Sequence, residues 1–201
     1  MKVSMTFEIF PTKKYIPKCD EIIRCSRELF LDFLKKELIE RDVEIISQEV
    51  YVNKEVHIHP VLLTLFENRH TIFKLKEEGE VYVFFHKSTE LDEEFWREEI
   101  QDNENAQVIK EKIYTNLGIG YSWSVKRTMG QPAIVSLYYG FIAIAIALLT
   151  DGIIYSSDGA WDSEYLPIEA NKFKADYLDL NKISDVIVKK NIDKWIKEMK
   201  N

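Results

Sequence analysis

An uncharged run of eighteen residues, from Pro132 to Leu149, constrains this fold more than any other part of the chain. A helix of this composition is apolar on every side, so it lies either in a protein core or in lipid. Pro132 suits the first helical turn, where its missing N–H needs no partner. Small residues including Gly140 share one side of the helix, which predicts that another element approaches closely there. Gly152 is expected to end the helix in a left-handed conformation.

A membrane span is the competing interpretation of this run. Its length is about that of the shortest spans. However, no lysine or arginine follows it immediately, Asp151 and further acids do, and the chain has no second segment of this kind. This pattern favours a buried core helix and no membrane partner.

The length and composition of the chain predict one globular domain. We expect a single α+β domain over residues 1–201, with residues 166–201 forming a C-terminal helical extension packed on it. Hydrophobic residues make up 46% of the chain and aromatic residues 12%, enough for a sizeable core. The net charge of −7, with no basic run, disfavours nucleic acid as a partner and suits a basic protein.

Cysteine usage and the N-terminus predict a cytoplasmic protein. Cys19 and Cys25 are the only cysteines, and on a helix they point to different sides and cannot form a disulfide. They are therefore expected to be free thiols in a reducing compartment. The first residues, MKVSMTFEIFPTKK, are too polar for a signal peptide.

Hydrophobic periodicity predicts an α+β fold, with a mostly antiparallel sheet and helices packed mainly on one face. Strand–helix–strand order occurs near both ends of residues 1–156, so ferredoxin-like or doubled strand–helix–strand units remain open. Short connections favour antiparallel neighbours. The predicted strands cover residues 3–10, 43–52, 71–75, 80–85, 121–128 and 153–155, and the predicted helices residues 20–41, 104–116, 132–149 and 182–200.

The loop after the core helix is the predicted partner-binding site. Acidic side chains surround a tryptophan there, and an aromatic anchor in a charged surround is a common composition for a protein-binding hot spot. The alternative is a structural turn at Asp158-Gly159 with the tryptophan in the core. A calcium loop lacks the required aspartate spacing. The site residues are Asp158, Trp161, Asp162, Glu164 and Tyr165.

Other candidate sites have simpler structural explanations. His57 and His59 share a strand face but lack a third metal ligand at a recognisable spacing, so no metal site is predicted. No nucleophile elbow, zinc-binding helix motif or Walker lysine is present, and no cofactor is expected. Tyr121, Trp123 and Arg127 alternate along one strand face and are interpreted as core or edge-strand residues in preference to a stacking platform.

The acidic stretch from residue 90 to 104 is interpreted as a solvated face, with a contribution to a partner surface as the alternative. The C-terminal helix with Trp195 is a further candidate, as an oligomer contact.

Several segments together resemble the small α+β immunity proteins of bacterial toxin systems. They are Tyr121-Ser122-Trp123-Ser124, the apolar helix, Thr150-Asp151-Gly152, and the residues from Asp158 to Asp162, and they span about a quarter of the chain. The resemblance implies a cytoplasmic protein that inactivates a toxin by occluding it. It assigns no contact residues.

The leading hypothesis is therefore a non-enzymatic, cytoplasmic binding protein whose partner is a basic toxin or another basic protein. The alternative is a small hydrolase or a metal- or ligand-binding enzyme, in which a histidine meets Asp151, Asp158 or Asp162 in a cleft. No catalytic residue is assigned under the leading hypothesis.

Overall fold

The computed structural model describes residues 4–40, 48–52, 55–57, 70–75, 79–128, 130–158, 166–183 and 186–200. The strands are β1 (Ser4–Phe10), β2 (Gln48–Val52), β3 (Glu55–His57), β4 (His70–Leu75), β5 (Gly79–Lys87), β6 (Tyr121–Thr128), β7 (Ile153–Tyr155) and β8 (Ile168–Glu169). The helices are α1 (Cys19–Lys36), α2 (Glu90–Asp102), α3 (Glu104–Val108), α4 (Lys110–Ile119), α5 (Ala133–Thr150), α6 (Ala170–Tyr177) and α7 (Val186–Lys200).

The strands form one eight-stranded sheet in the order β3-β2-β4-β5-β6-β1-β7-β8. All seven pairings between the described strands are antiparallel. The predicted α+β class with an antiparallel sheet is confirmed. The expected hairpin is present, with Leu75 opposite Gly79 in the β4–β5 register.

The described strands contain one split strand–helix–strand unit, which lies towards the β8 end of the sheet. Strands β6 and β7 are joined through α5, run parallel to each other, and lie on either side of the antiparallel β1. By contrast, β4, β5 and β6 separate β1 from β2, the strand that follows α1 in the chain. The sheet therefore contains this arrangement once, and it places β1 beside both β6 and β7.

Helix α5 is the core helix that the uncharged run predicted. It is long and apolar enough to cross a membrane, yet 83% of it is buried inside the fold. It packs on the sheet and also contacts α1, α6 and α7. This burial is that of a core helix in a soluble protein.

Four helices cover one face of the sheet, which we call the inner face. Alternate strand side chains such as Phe7, Val83 and Trp123 point into this core, together with Phe30 of α1 and Ile192 of α7. Helices α1, α5, α6 and α7 contribute to the same cluster, as expected from helices packed mainly on one face.

Gly140 allows a neighbouring side chain to approach α5 closely within the core. A Cβ atom at this position would lie 2.0 Å from Cζ of Tyr177. The predicted close approach is therefore present, and the neighbour is an aromatic ring of α6. The Tyr177 hydroxyl donates hydrogen bonds to the carbonyl oxygens of Ser136 and Leu137, at 2.9 and 3.1 Å.

The other three helices that the structure describes, α2, α3 and α4, pack on the opposite face, which we call the outer face. A second apolar cluster there joins Phe10 of β1 and Ile153 of β7 to Trp96 of α2, Ala106 of α3 and Ile113 of α4. The Trp96 side chain is fully buried and packs edge-on against Phe10, with ring centroids 4.9 Å apart. Trp96 therefore fixes α2 beside the outer face.

Two local expectations were wrong. The left-handed residue after α5 is Asp151, with φ of 50°, and Gly152 instead donates its N–H to the Ala147 carbonyl oxygen at 2.7 Å. Gly152 is required for space, because a Cβ there would lie 2.9 Å from the Phe10 carbonyl oxygen. Helix α1 ends at Lys36, whereas the sequence predicted a helix that continues to residue 41. Leu38, expected on the apolar side of that helix, has a positive φ and is 80% exposed.

Candidate functional site

A cleft of about 530 Å³ opens on the outer face between the sheet and α2. We call it the outer cleft. Strand alternation explains its composition, because the residues that alternate with the core positions of β1, β5 and β6 point outwards. Its lining combines charged, hydroxyl and aromatic side chains: Glu8, Phe10, His86, Lys87, Thr89, Asp92, Phe95, Ser122, Ser124, Lys126, Tyr155 and Ser157.

Partial burial shifts the pKa values of two groups in the outer cleft. Burial raises the pKa of the Glu8 carboxyl, and the positive charge of Lys126 opposes this shift. Burial lowers the pKa of the His86 imidazole, Lys126 lowers it further, and Asp92 acts in the opposite direction. Both shifts favour the neutral form of the side chain.

His86 and Ser124 are hydrogen-bonded inside this cleft. The distance from His86 Nε2 to Ser124 Oγ is 2.7 Å. The register places Ser122 directly opposite His86, so the bonded pair is diagonal across β5 and β6. Ser124 also lies opposite Glu8 of β1, which brings three neighbouring strands together at this point.

A second cleft, of about 500 Å³, lies on the other side of Tyr155. Its lining is mostly acidic and amide side chains: Glu99, Asp102, Asn103, Glu104, Asn105, Tyr155 and Ser156. Burial and the neighbouring Glu99 raise the pKa of Tyr155 to about 12. Tyr155 also lines the outer cleft, so its ring separates the two openings.

Helix α2 carries most of the net negative charge of the chain. It holds seven acidic side chains against one arginine, an excess nearly equal to the net charge of −7 for the whole chain. The rest of the chain is therefore close to neutral. Arg97 is 3.9 Å from Glu93 in an exposed pair, and a pair of that kind contributes little.

Three pairs of like charges follow one another along the exposed side of α2. Glu90, Glu94, Glu98 and Asp102 are all exposed and spaced four residues apart. Each such pair destabilises a helix by about 0.2–0.5 kcal/mol. The fold thus holds a row of acids that repel one another, and the one basic side chain of α2, Arg97, pairs with Glu93.

Two apolar side chains lie beside this acidic row. Leu91 is 75% exposed and Phe95 is 37% exposed, one helical turn apart. The Phe95 ring packs against Trp96 and Tyr155, with centroids 5.3 and 5.5 Å away, so it is held in place while one side faces solvent. We call Leu91, Phe95 and the four exposed acids the α2 surface.

The structure describes only one of the five loop residues that the sequence singled out. Asp158 accepts hydrogen bonds from the Thr6 backbone N–H at 3.0 Å and from the Ser156 hydroxyl at 3.2 Å. The Asp158 side chain thus binds the β1 backbone beyond the end of β7. Trp161, Asp162, Glu164 and Tyr165 lie outside the described residues.

Of the three aspartates in the hydrolase alternative, Asp151 and Asp158 are described and neither lines the cleft of His86, whereas Asp162 lies outside the described residues. Asp151 pairs with Lys112 at 3.3 Å, and Lys112 also binds Glu169 at 2.8 Å. Asp158 is bound to Thr6, whereas His86 shares its cleft with Glu8 and Asp92.

The other candidates were two histidines for a metal site, three residues of β6 for a stacking surface, and Trp195 for an oligomer contact. His57 lies in β3, but neither its side chain nor His59 is described, and within the described residues no group of three metal-ligating side chains occurs. Tyr121, Trp123 and Arg127 are buried, so their interpretation as core residues is confirmed. Trp195 packs against Phe30, with ring centroids 6.3 Å apart.

Comparison with known proteins assigns neither a family nor a function to this chain. No protein-family model matches the chain, and neither a curated protein nor a solved structure matches it.

Proposed function

We propose that this protein binds a basic protein partner through the α2 surface. The observation that carries the proposal is the concentration of charge: nearly the whole net charge of the chain lies on one exposed helix. A negative charge needed only for solubility has no reason to gather on one element, whereas a clustered field speeds association with an oppositely charged partner.

The α2 surface also has the composition of a binding site. Leu91 and Phe95 supply apolar area beside the acidic row, and Phe95 is already fixed by its neighbours. A rigid aromatic side chain loses little conformational entropy on binding and is a frequent anchor of interfaces. A basic partner would also relieve the repulsion between the acids of α2.

We further propose a cytoplasmic protein of the immunity type, which occludes a basic toxin. Occlusion needs a complementary surface and no catalytic group, and it requires neither a nucleic acid nor a membrane. The loop with Trp161, Asp162, Glu164 and Tyr165 is proposed to extend the same interface. Trp161→Ala and Asp162→Lys are expected to weaken binding while leaving the melting temperature nearly unchanged.

Affinity capture from the native host tests the proposal. The test variant is Glu90→Gln, Glu94→Gln and Glu98→Gln, which removes three charges from α2. The matched control is Glu28→Gln, Glu40→Gln and Glu198→Gln, which removes three exposed acids elsewhere. We expect the wild type and the control to retain the same basic protein and the α2 variant to lose it. Equal capture by all three proteins would reject the α2 surface.

A further inference from the structure

The outer cleft contains a serine and a histidine that are hydrogen-bonded to each other. Binding of a partner to α2 does not explain this pair. Ser124 is buried at the floor of the cleft and is bonded through Oγ to His86 Nε2 at 2.7 Å. A hydroxyl held by an imidazole at hydrogen-bond distance is the basic requirement for an activated serine nucleophile. The pair lies on two adjacent strands of the sheet, which are rigid supports.

The protonation state of His86 suits a general base. Its pKa is lowered by burial and by Lys126 of β6, so at neutral pH the imidazole is uncharged and Nε2 can accept the Ser124 proton. Asp92 of α2 acts in the opposite direction and favours the imidazolium that forms when the proton is transferred. Glu8 of β1 lies opposite Ser124, and Lys87 of β5 and Tyr155 of β7 are the other titratable groups that line the cleft.

The surroundings of Ser124 provide space and charge for a substrate. The cleft of about 530 Å³ is large enough for a small organic molecule. Phe10, Phe95 and Tyr155 form its apolar part. Lys126 follows Ser124 by two residues on the same strand face and lines the same cleft, so its positive charge is placed to stabilise an oxyanion.

We propose that Ser124 is a nucleophile activated by His86 and that the outer cleft cleaves small carboxylic esters with an apolar acyl or alcohol group. Ser124 Oγ attacks the carbonyl carbon while its proton moves to His86 Nε2. The tetrahedral intermediate collapses, the carbon–oxygen bond to the alcohol breaks, and the alcohol leaves with the proton from His86. Water, deprotonated by His86, then attacks the acyl-serine, and the carboxylic acid is released with Ser124 restored.

Covalent labelling with a fluorophosphonate probe tests the nucleophile directly. We expect one adduct per chain, placed on Ser124 by peptide mass spectrometry of the wild-type protein. Ser124→Ala should lose the adduct, and His86→Gln should slow its formation at least tenfold. Ser88→Ala is the matched control, because Ser88 is a partly exposed serine that follows β5 and does not line the cleft. It should label at the wild-type rate.

Turnover of p-nitrophenyl acetate provides the second measurement. We expect a burst of nitrophenol close to one equivalent of protein. The rate should fall as acid protonates His86, and the midpoint of this fall should lie below the pKa of an ordinary histidine. Because the labelled residue is mapped on the wild-type protein, poor folding of a variant does not affect the result. An unlabelled protein, an adduct elsewhere than on Ser124, or a burst that survives Ser124→Ala would overturn the proposal.

Discussion

Gly140 shows how one residue fixes the packing of two helices. The space that its missing side chain leaves is filled by the Tyr177 ring, and the Tyr177 hydroxyl is bonded to two carbonyl oxygens of α5. The contact between α5 and α6 therefore requires glycine at this position, although glycine has a low helix propensity. The small-residue pattern predicted the approach, but it could not identify the partner, which lies 37 residues further along the chain.

We predict that Gly140→Ala destabilises the protein by about 3 kcal/mol, because the new methyl group overlaps the Tyr177 ring and forces it to move. Gly118→Ala in α4 is the matched control. Its Cβ would meet nothing within 4 Å, so it should stabilise the protein by up to about 1 kcal/mol. Urea unfolding of both variants measures the difference. Similar effects at the two positions would contradict this account.

Asp158→Ala should lower the free energy of unfolding by about 1–2 kcal/mol, because the Thr6 N–H on the edge of β1 loses its acceptor. Ser157→Ala, at the neighbouring exposed residue, should have little effect. Thermal unfolding distinguishes the two variants. If Asp158→Ala were as stable as the wild type, Asp158 would be free to act as a binding residue, as the sequence first predicted.

Glu8→Gln should stabilise the protein at neutral pH. Burial raises the pKa of Glu8 above its ordinary value of 4.5, so the folded state binds the proton more tightly than the unfolded state. The free energy of unfolding therefore falls as pH rises from 4.5 through the raised pKa. The glutamine variant avoids this loss. Its advantage over the wild type should be present at pH 7 and vanish near pH 3, where both states of the wild type are protonated. Melting temperatures across this range test the sign.

Helix α2 is the element that sequence reasoning interpreted least well. Its many acids led to its description as a solvated polar stretch, although Thr89 and Asp92 form a capping box at its start, with the Thr89 N–H donating to Asp92 Oδ2 at 2.6 Å. That spacing was a readable signal for a helix N-terminus. Trp96 and Ile100, four residues apart and buried, mark the side that packs on the sheet.

We predict that Glu94→Gln stabilises the protein by roughly 0.5–1 kcal/mol at low salt, because Glu94 is repelled by both Glu90 and Glu98. The gain should shrink in about 1 M salt, where charges on the surface are screened. Glu198→Gln is the control, since Glu198 lies 3.7 Å from Lys194 and its removal relieves no such row. Denaturation at two salt concentrations measures both variants. A loss of stability in Glu94→Gln would contradict the proposed repulsion.

At the scale of the whole molecule, the residues that face the core were the most predictable. The uncharged run and the alternation in β6 identify buried positions, as do the apolar residues of α1 up to Leu34, because burial imposes a period on each element separately. The outer cleft could not be predicted in this way. Glu8, His86 and Ser124 meet only through the register of three strands, and β1 is distant in sequence from β5 and β6.

The most direct test of the α2 surface as a binding site is the dissociation constant of the captured basic partner. It is measured at several salt concentrations for the wild type and for the Glu90→Gln, Glu94→Gln, Glu98→Gln variant. We predict at least tenfold weaker binding of the variant at low salt, because removing charge complementarity costs affinity and slows association. The two curves should converge as salt rises. Equal constants at every salt concentration would contradict the assignment of the α2 surface as the binding site.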